Sequence, residues 1–94
     1  MEKARAHIYI DGRVQGVFYR GFTQDLAIQL GLRGWVRNLR DGRVEAVFEG
    51  DRKIIDEAIR QCHIGPPASR VTDINVQWEP YNGEEKDFSV RHTV

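Results

Sequence analysis

The chain has 94 residues, and its 14 lysines and arginines balance 14 aspartates and glutamates. The length predicts a single domain over residues 1–94, and the zero net charge gives no reason to expect nucleic acid or a membrane surface as partner. One cysteine, no apolar stretch near the roughly 20 residues of a membrane span, and no signal-peptide pattern after Met1 predict a cytoplasmic location.

The positive charge is nevertheless unevenly distributed. Between Gly12 and Arg43 the chain has six arginines against Asp25 and Asp41. From Val44 onward, acidic residues outnumber basic ones. A positive field concentrated in the first half would attract a small anionic ligand without making the whole protein basic.

The first third of the chain predicts a strand followed by a helix. An apolar run from His7 to Ile10 is typical of a strand and is closed by Asp11-Gly12. Large apolar residues then recur at four-residue spacing, which predicts one face of a helix: Phe22, Leu26 and Leu30. Gly31 follows at the position where a left-handed glycine commonly ends a helix.

The middle of the chain predicts a β-hairpin and a second helix. Asp41-Gly42 is a strong turn signal between a strand that begins at Trp35 and one that runs from Val44 to Phe48. Asp51 can cap the helix that follows, whose apolar residues share one side: Ile54, Ile55, Ala58, Ile59 and Cys62. Gly65-Pro66-Pro67 ends that helix.

Alternating apolar residues predict two further strands, at Ile74 to Trp78 and, as a short edge strand, at Phe88 to Val90. The order is therefore β-α-β-β-α-β plus a short closing strand. This is the ferredoxin-like split βαβ arrangement, an α+β sandwich with an antiparallel sheet and two helices on one face. Because this architecture supports many functions, the function has to be argued from the site.

The stretch from Gly12 to Arg20 predicts a site for a small anion. It joins the first strand to the first helix, so backbone N–H groups, the positive end of the helix dipole and the Arg20 guanidinium can converge there. Arg20 is open to two interpretations, a surface arginine or an anion-binding one. A cation at a helix N-terminus is unfavourable unless an anion lies beside it, which supports the second.

Asn38 ends the second strand next to the predicted turn. It is either an ordinary turn residue or a residue whose amide orients a water toward a bound phosphorus atom. Contact with Arg20 is plausible because loops at one end of a sheet can converge. Thr23 is interpreted as a helix cap, and Trp35 as a core residue or a platform beneath the site.

No catalytic role is assigned to the cysteine or to the three histidines. Cys62 lies on the apolar side of the second helix and is interpreted as a small buried core residue. None of the histidines has an acid or nucleophile at an instructive sequence spacing: His7, His63 and His92. Since neither a metal-ligand cluster nor a G-x-x-x-x-G-K-[ST] motif is present, no metal and no cofactor are expected.

Two blocks of the sequence resemble the acylphosphatase family. Val14 to Arg20 (VQGVFYR) resembles the family signature V-Q-G-V-x-F-R, and Gly31 to Asn38 (GLRGWVRN) resembles G-L-x-G-W-V-x-N. The similarity extends over nearly the whole chain. Tyr19 is the one departure, because the family most often has phenylalanine there; its hydroxyl needs a partner if it is buried.

The resemblance implies metal-independent hydrolysis of the carboxyl–phosphate bond of an acyl phosphate. It implies that Arg20 binds the phosphate and that Asn38 orients the attacking water. It also implies a cradle of backbone amides from five residues: Gln15, Gly16, Val17, Phe18 and Tyr19. Because a carboxylate is a stable leaving group, no strong general acid is required, and the remaining work is positioning and electrostatics.

The expected partner is a small-molecule acyl phosphate, bound by a monomer, without nucleic acid or membrane. The sequence shows no obvious pocket for the acyl group. Three alternatives remain: a carbamoyl phosphate domain of a larger maturation protein, a non-catalytic anion-binding module, and an RNA-binding sheet. The chain length argues against a domain of a larger maturation protein, and the presence of Asn38 argues against a non-catalytic module. The missing aromatic motif argues against RNA binding.

Overall fold

A computed structural model describes residues 2–94, which form five strands and two helices. In chain order the elements are β1 (Lys3–Arg13), α1 (Tyr19–Gln29), β2 (Arg33–Asn38), β3 (Val44–Asp51), α2 (Arg52–Ile64), β4 (Arg70–Glu79) and β5 (Phe88–Val90). The predicted element order and the ferredoxin-like α+β fold are confirmed. Neither α1 nor α2 has the length and apolar character needed to cross a membrane.

The five strands form one sheet in the order β4-β1-β3-β2-β5. Strands β1 to β4 pair only in antiparallel fashion, as predicted, but β5 runs parallel to β2, so the sheet is mixed. The reason is the path of the chain. Residues 80–87 cross the end of the sheet where β4 finishes and β2 starts, so β5 has to leave in the direction of β2.

The core lies between the sheet and the two helices. Strand alternation places Ile8, Val36 and Ala46 side by side on the helix-covered face, and all three are fully buried. From α2, Ile55, Ala58 and Cys62 pack against this face. Their spacing matches one side of a helix, as the sequence predicted; Ile54, by contrast, is exposed.

Three of the four helix ends lie at the capping residues that the sequence predicts, and the start of α1 is the exception. The Asp51 carboxylate accepts a hydrogen bond of 2.9 Å from the Lys53 N–H and caps α2, as predicted. Gly65, with φ of 66°, ends α2. Gly31, with φ of 71°, follows the end of α1.

The interpretation of Thr23 as a helix cap was wrong. Helix α1 begins at Tyr19, earlier than the apolar pattern indicated, so Thr23 lies one turn inside it. There it is fully buried, and its hydroxyl donates to the Tyr19 carbonyl at 2.9 Å. The buried line of α1 is accordingly Tyr19, Thr23 and Ala27, with Leu26 and Leu30 only partly buried beside it.

Trp35 is buried, as predicted for a core residue, but it lies on the side of the sheet away from the helices. Because Val36 and Asn38 face the helices, strand alternation sends Trp35 to the opposite, open face of the sheet. There it is covered by the guanidinium groups of Arg37 and Arg91, which lie 4.7 and 4.6 Å from its ring centroid. Trp35 is therefore a buried residue of the open face, and it is not a platform beneath the loop between β1 and α1.

Candidate active site

The loop between β1 and α1 is shaped by two left-handed residues. Gly16 has φ of 72°, which glycine adopts freely, whereas Phe18 has φ of 66°, which costs a non-glycine residue about 1–3 kcal/mol. Phe18 is also the N-cap of α1, and its side chain makes no capping hydrogen bond. Within the described chain, no backbone carbonyl accepts from the N–H groups of Gln15 to Arg20. This loop therefore keeps a set of free donors at a helix N-terminus.

These donors border a cavity of about 300 Å³. Its lining comes from the loop, the first turn of α1, the end of β2 and the edge strand β5: Val14, Gly16, Phe18, Tyr19, Arg20, Gly21, Asn38 and Val90. Strand β3 separates β1 from β2 in the sheet, yet β1 and β2 both end at this side, so Arg20 and Asn38 line the same cavity. The convergence of the two loops that the sequence predicts is found in the structure.

Arg20 carries the one positive charge among the residues that line this cavity. Within residues 2–94 it forms no salt bridge. Two other arginines of the basic first half are neutralised, since Arg37 pairs with Glu45 at 2.6 Å and Arg43 with Asp41 at 2.8 Å. At the cavity, the predicted positive field therefore consists of Arg20, the helix dipole and the loop amides.

Asn38 brings an unsatisfied polar atom to the same cavity. Its position at the end of β2 is fixed from both sides, because it pairs with Val44 of β3 and its carbonyl accepts from the Val94 N–H at 3.3 Å. Its side-chain Oδ1 is buried and, among the described residues, has no hydrogen-bond partner. A buried polar atom without a partner is typical of a site that a ligand or a water completes.

Gln15 ties the loop to the β2–β3 hairpin, a contact that the sequence did not reveal. Its side-chain Nε2 donates to the carbonyls of Leu39 and Arg43, at 2.7 and 2.8 Å. The same two residues close the hairpin through the Leu39 N–H, which donates to the Arg43 carbonyl. Gln15 therefore couples the position of the amide loop to the hairpin that carries Asn38. No local sequence signal indicates this, because the partners lie 24 and 28 residues away.

The hydroxyl of Tyr19 has a structural partner. It donates to the Cys62 carbonyl at 2.6 Å, in the last turn of α2. That carbonyl would ordinarily accept from the N–H of residue 66, which is proline and has none. Burial, and to a smaller extent the neighbouring Cys62 side chain, raises the pKa of Tyr19, so the hydroxyl stays protonated and remains a donor.

Cys62 is the buried core residue that the sequence predicted. Burial raises the pKa of its thiol to about 12, which excludes a nucleophilic thiolate at neutral pH. The part of the chain that the structure describes holds no group of three or more His, Cys, Asp or Glu side chains suited to a metal ion.

The sequence model of the acylphosphatase family matches residues 6–90. An acylphosphatase of Pyrobaculum aerophilum is 53% identical over 95 residues, which cover 100% of both chains. The crystal structure of acylphosphatase from Bacillus subtilis has a TM-score of 0.91 and 39% identity over 94% of this chain and 98% of that one. Full-length HypF, in a phosphate- and nucleotide-bound form, has a TM-score of 0.88 and 32% identity over 98% of this chain and 12% of its own. The family match, these relatives and the shared fold confirm the resemblance seen in the sequence, and this chain belongs to the acylphosphatase family of hydrolases.

Proposed function

We propose that this chain hydrolyses the carboxyl–phosphate bond of acyl phosphates, without a metal ion, to a carboxylate and inorganic phosphate. One observation carries the proposal: Arg20 and Asn38, from separate elements, line a single cavity at an uncapped helix N-terminus. Residues 1–94 act as one domain and as a monomer on this small-molecule substrate.

The phosphoryl group is held by the backbone N–H groups of Gln15 to Tyr19 and by the Arg20 guanidinium. These donors neutralise the negative charge on the phosphoryl oxygens as an incoming water approaches. The side-chain oxygen of Asn38, which has no partner among the described residues, orients that water. Arg20 is thus the phosphate-binding residue and Asn38 the water-positioning residue.

The chemical step is an in-line displacement at phosphorus. The water oxygen forms a bond to phosphorus while the bond from phosphorus to the acyl oxygen breaks, and the electron pair leaves with the carboxylate. The proton of the water passes to a phosphate oxygen of the substrate. Since the leaving carboxylate is stable as an anion, the step needs neither a general acid nor a Lewis acid on the leaving oxygen.

RNA binding through the sheet is disfavoured by the charges on its open face. Arg5 and Arg37 lie there, but Arg5 pairs with Glu49 and Glu79, and Arg37 pairs with Glu45. These ion pairs reduce the positive potential of the face, which is what attracts nucleic acid.

Phosphate release from acetyl phosphate in the presence of EDTA tests the proposal. We expect turnover well above the uncatalysed rate, unchanged by EDTA and lost in Arg20→Ala. Turnover that depends on added Mg²⁺ would contradict the mechanism, and no turnover at all would contradict the activity. Carbamoyl phosphate, assayed in parallel, distinguishes the rival substrate: a strong preference for it over acetyl phosphate would overturn the simple acyl phosphate assignment.

A further inference from the structure

A second and larger cavity adjoins the phosphate cavity. It is a groove of about 610 Å³ between α1 and the end of α2, within the size range of small-molecule sites. Most of its lining is apolar: Phe18, Phe22, Leu26, Leu30, Pro66 and Pro67. No residue of β2 borders it, so it lies on a different side of the anion loop from Asn38.

Phe18 is the residue that the groove and the phosphate cavity share. Its side chain is 71% exposed although its backbone is in the costly left-handed region. The ring lies across Gly21, where a Cβ would come within 2.5 Å of it. An exposed aromatic ring in a strained conformation, seated over a glycine between two cavities, is poorly explained by packing and well explained by contact with a ligand.

The charged residues that border the groove are both acidic, Asp25 and Glu57. The hydrogen bond from Arg60, and then one from Gln61, hold the pKa of Glu57 below its ordinary value, so this carboxylate remains ionised. Asp25 is exposed and has no salt-bridge partner among the described residues. Because Arg60 pairs with Glu57 at 2.6 Å, Asp25 is the unpaired carboxylate at the groove among the described residues, and it would repel a ligand with its own negative charge.

We propose that this groove binds the acyl group of the substrate and makes the enzyme selective for acyl phosphates with apolar, uncharged acyl groups. The inference rests on the proposed function. In an in-line displacement the leaving carboxylate departs on the side opposite the water, and the groove lies away from Asn38, which orients that water. Phe18 then contacts the acyl group where it passes from one cavity to the other.

Three substrates test this proposal on the unmodified protein: acetyl, benzoyl and 4-carboxybenzoyl phosphate. For each substrate, kcat/KM is measured and divided by the rate of uncatalysed hydrolysis. Burial of the benzoyl ring should raise kcat/KM about tenfold over acetyl phosphate. The added carboxylate should reverse most of that gain. Equal values for benzoyl and acetyl phosphate would overturn the inference but leave the proposed function intact, since acetyl phosphate turnover measures that function separately.

Substitutions on α1 test whether the selectivity for the acyl group arises in this groove. Phe22→Ala should lower the benzoyl-to-acetyl ratio about fivefold, while Ile28→Ala, which removes a 60% exposed side chain outside the groove, should leave the ratio unchanged. Asp25→Asn should raise kcat/KM for 4-carboxybenzoyl phosphate without changing that for acetyl phosphate. An unchanged ratio in a Phe22→Ala protein that still hydrolyses acetyl phosphate would overturn the proposal. If Phe22→Ala does not fold, the exposed Asp25→Asn decides: no gain with 4-carboxybenzoyl phosphate counts against the groove.

Discussion

Arg20 and Asn38 border one cavity but bring different groups to it. Arg20 brings a fixed positive charge, whereas Asn38 brings a neutral amide with an unsatisfied oxygen. We therefore expect Arg20→Ala to lose turnover and inhibition by inorganic phosphate together. Asn38→Ala should lower kcat by about 10²- to 10³-fold and leave the inhibition constant for phosphate nearly unchanged.

Steady-state kinetics with added phosphate measure both quantities in one experiment. Asn75→Ala is a suitable control, because Asn75 is exposed on β4 and does not border the cavity. If Asn38→Ala lost phosphate inhibition but kept its turnover, the two roles would have to be exchanged.

Tyr19 gives the second prediction, on stability. Tyr19→Phe removes the only donor that reaches the Cys62 carbonyl among the described residues, and Pro66 cannot replace it. Leaving a buried carbonyl unsatisfied costs about 1–3 kcal/mol, so the free energy of unfolding in urea should fall by that amount. Tyr81→Phe removes a hydroxyl from a 40% exposed ring and should leave the unfolding free energy almost unchanged. Equal stabilities of the two variants would show that the buried hydroxyl contributes nothing.

At the scale of elements, the amide loop and the β2–β3 hairpin work as a unit because Gln15 joins them. Gln15→Glu keeps the shape of the side chain but replaces its N–H donors with an oxygen that repels both carbonyls. We expect kcat/KM for acetyl phosphate to fall about ten- to a hundredfold, because the loop shifts relative to Asn38.

Gln77→Glu adds the same negative charge at an exposed glutamine on β4 and serves as the control. A Gln15→Glu enzyme with normal kcat/KM would show that the loop keeps its position without the hairpin.

The elements that the sequence predicted correctly are those with local signals. Asp51, Gly31 and Gly65 act at helix ends within one turn of their own positions, so their roles could be predicted from short stretches. Local signals could not predict the parallel pairing of β5 or the placement of Trp35 on the open face. Both depend on the order of the strands in the sheet. The hydroxyl partner of Tyr19 and the brace from Gln15 depend on contacts between distant segments for the same reason.

At the scale of the whole molecule, the open face of the sheet is held by a network of charges that joins four strands. His7 on β1 lies 2.6 Å from a Glu45 oxygen on β3 and 3.0 Å from a Glu79 oxygen on β4. Arg37 on β2 donates to Glu45 at 2.6 Å. Strand register alone brings these groups together, which is why no sequence spacing revealed the acidic partners of His7.

Glu45 makes the stability of the fold sensitive to acid. Burial raises the pKa of this carboxyl, but the hydrogen bonds from Arg37 and His7 outweigh burial and bring the pKa below its ordinary value of 4.5. The unfolded chain therefore takes up a proton at Glu45 before the folded protein does. The stabilisation is fully present above the unfolded pKa and is lost as the pH falls through the lower, folded pKa.

Glu45→Gln should accordingly lower the free energy of unfolding by about 1–3 kcal/mol at pH 7, because Arg37 and His7 lose their shared carboxylate. The difference from the unmodified protein should shrink as the pH is lowered below 4.5 and through the lower pKa of folded Glu45, since the folded protein's own Glu45 then becomes protonated. Urea unfolding at a series of pH values measures both curves, with the exposed Glu84→Gln as the control that should follow the unmodified protein. Parallel curves for Glu45→Gln and the unmodified protein across this range would show that Glu45 does not link acid to the stability of the sheet.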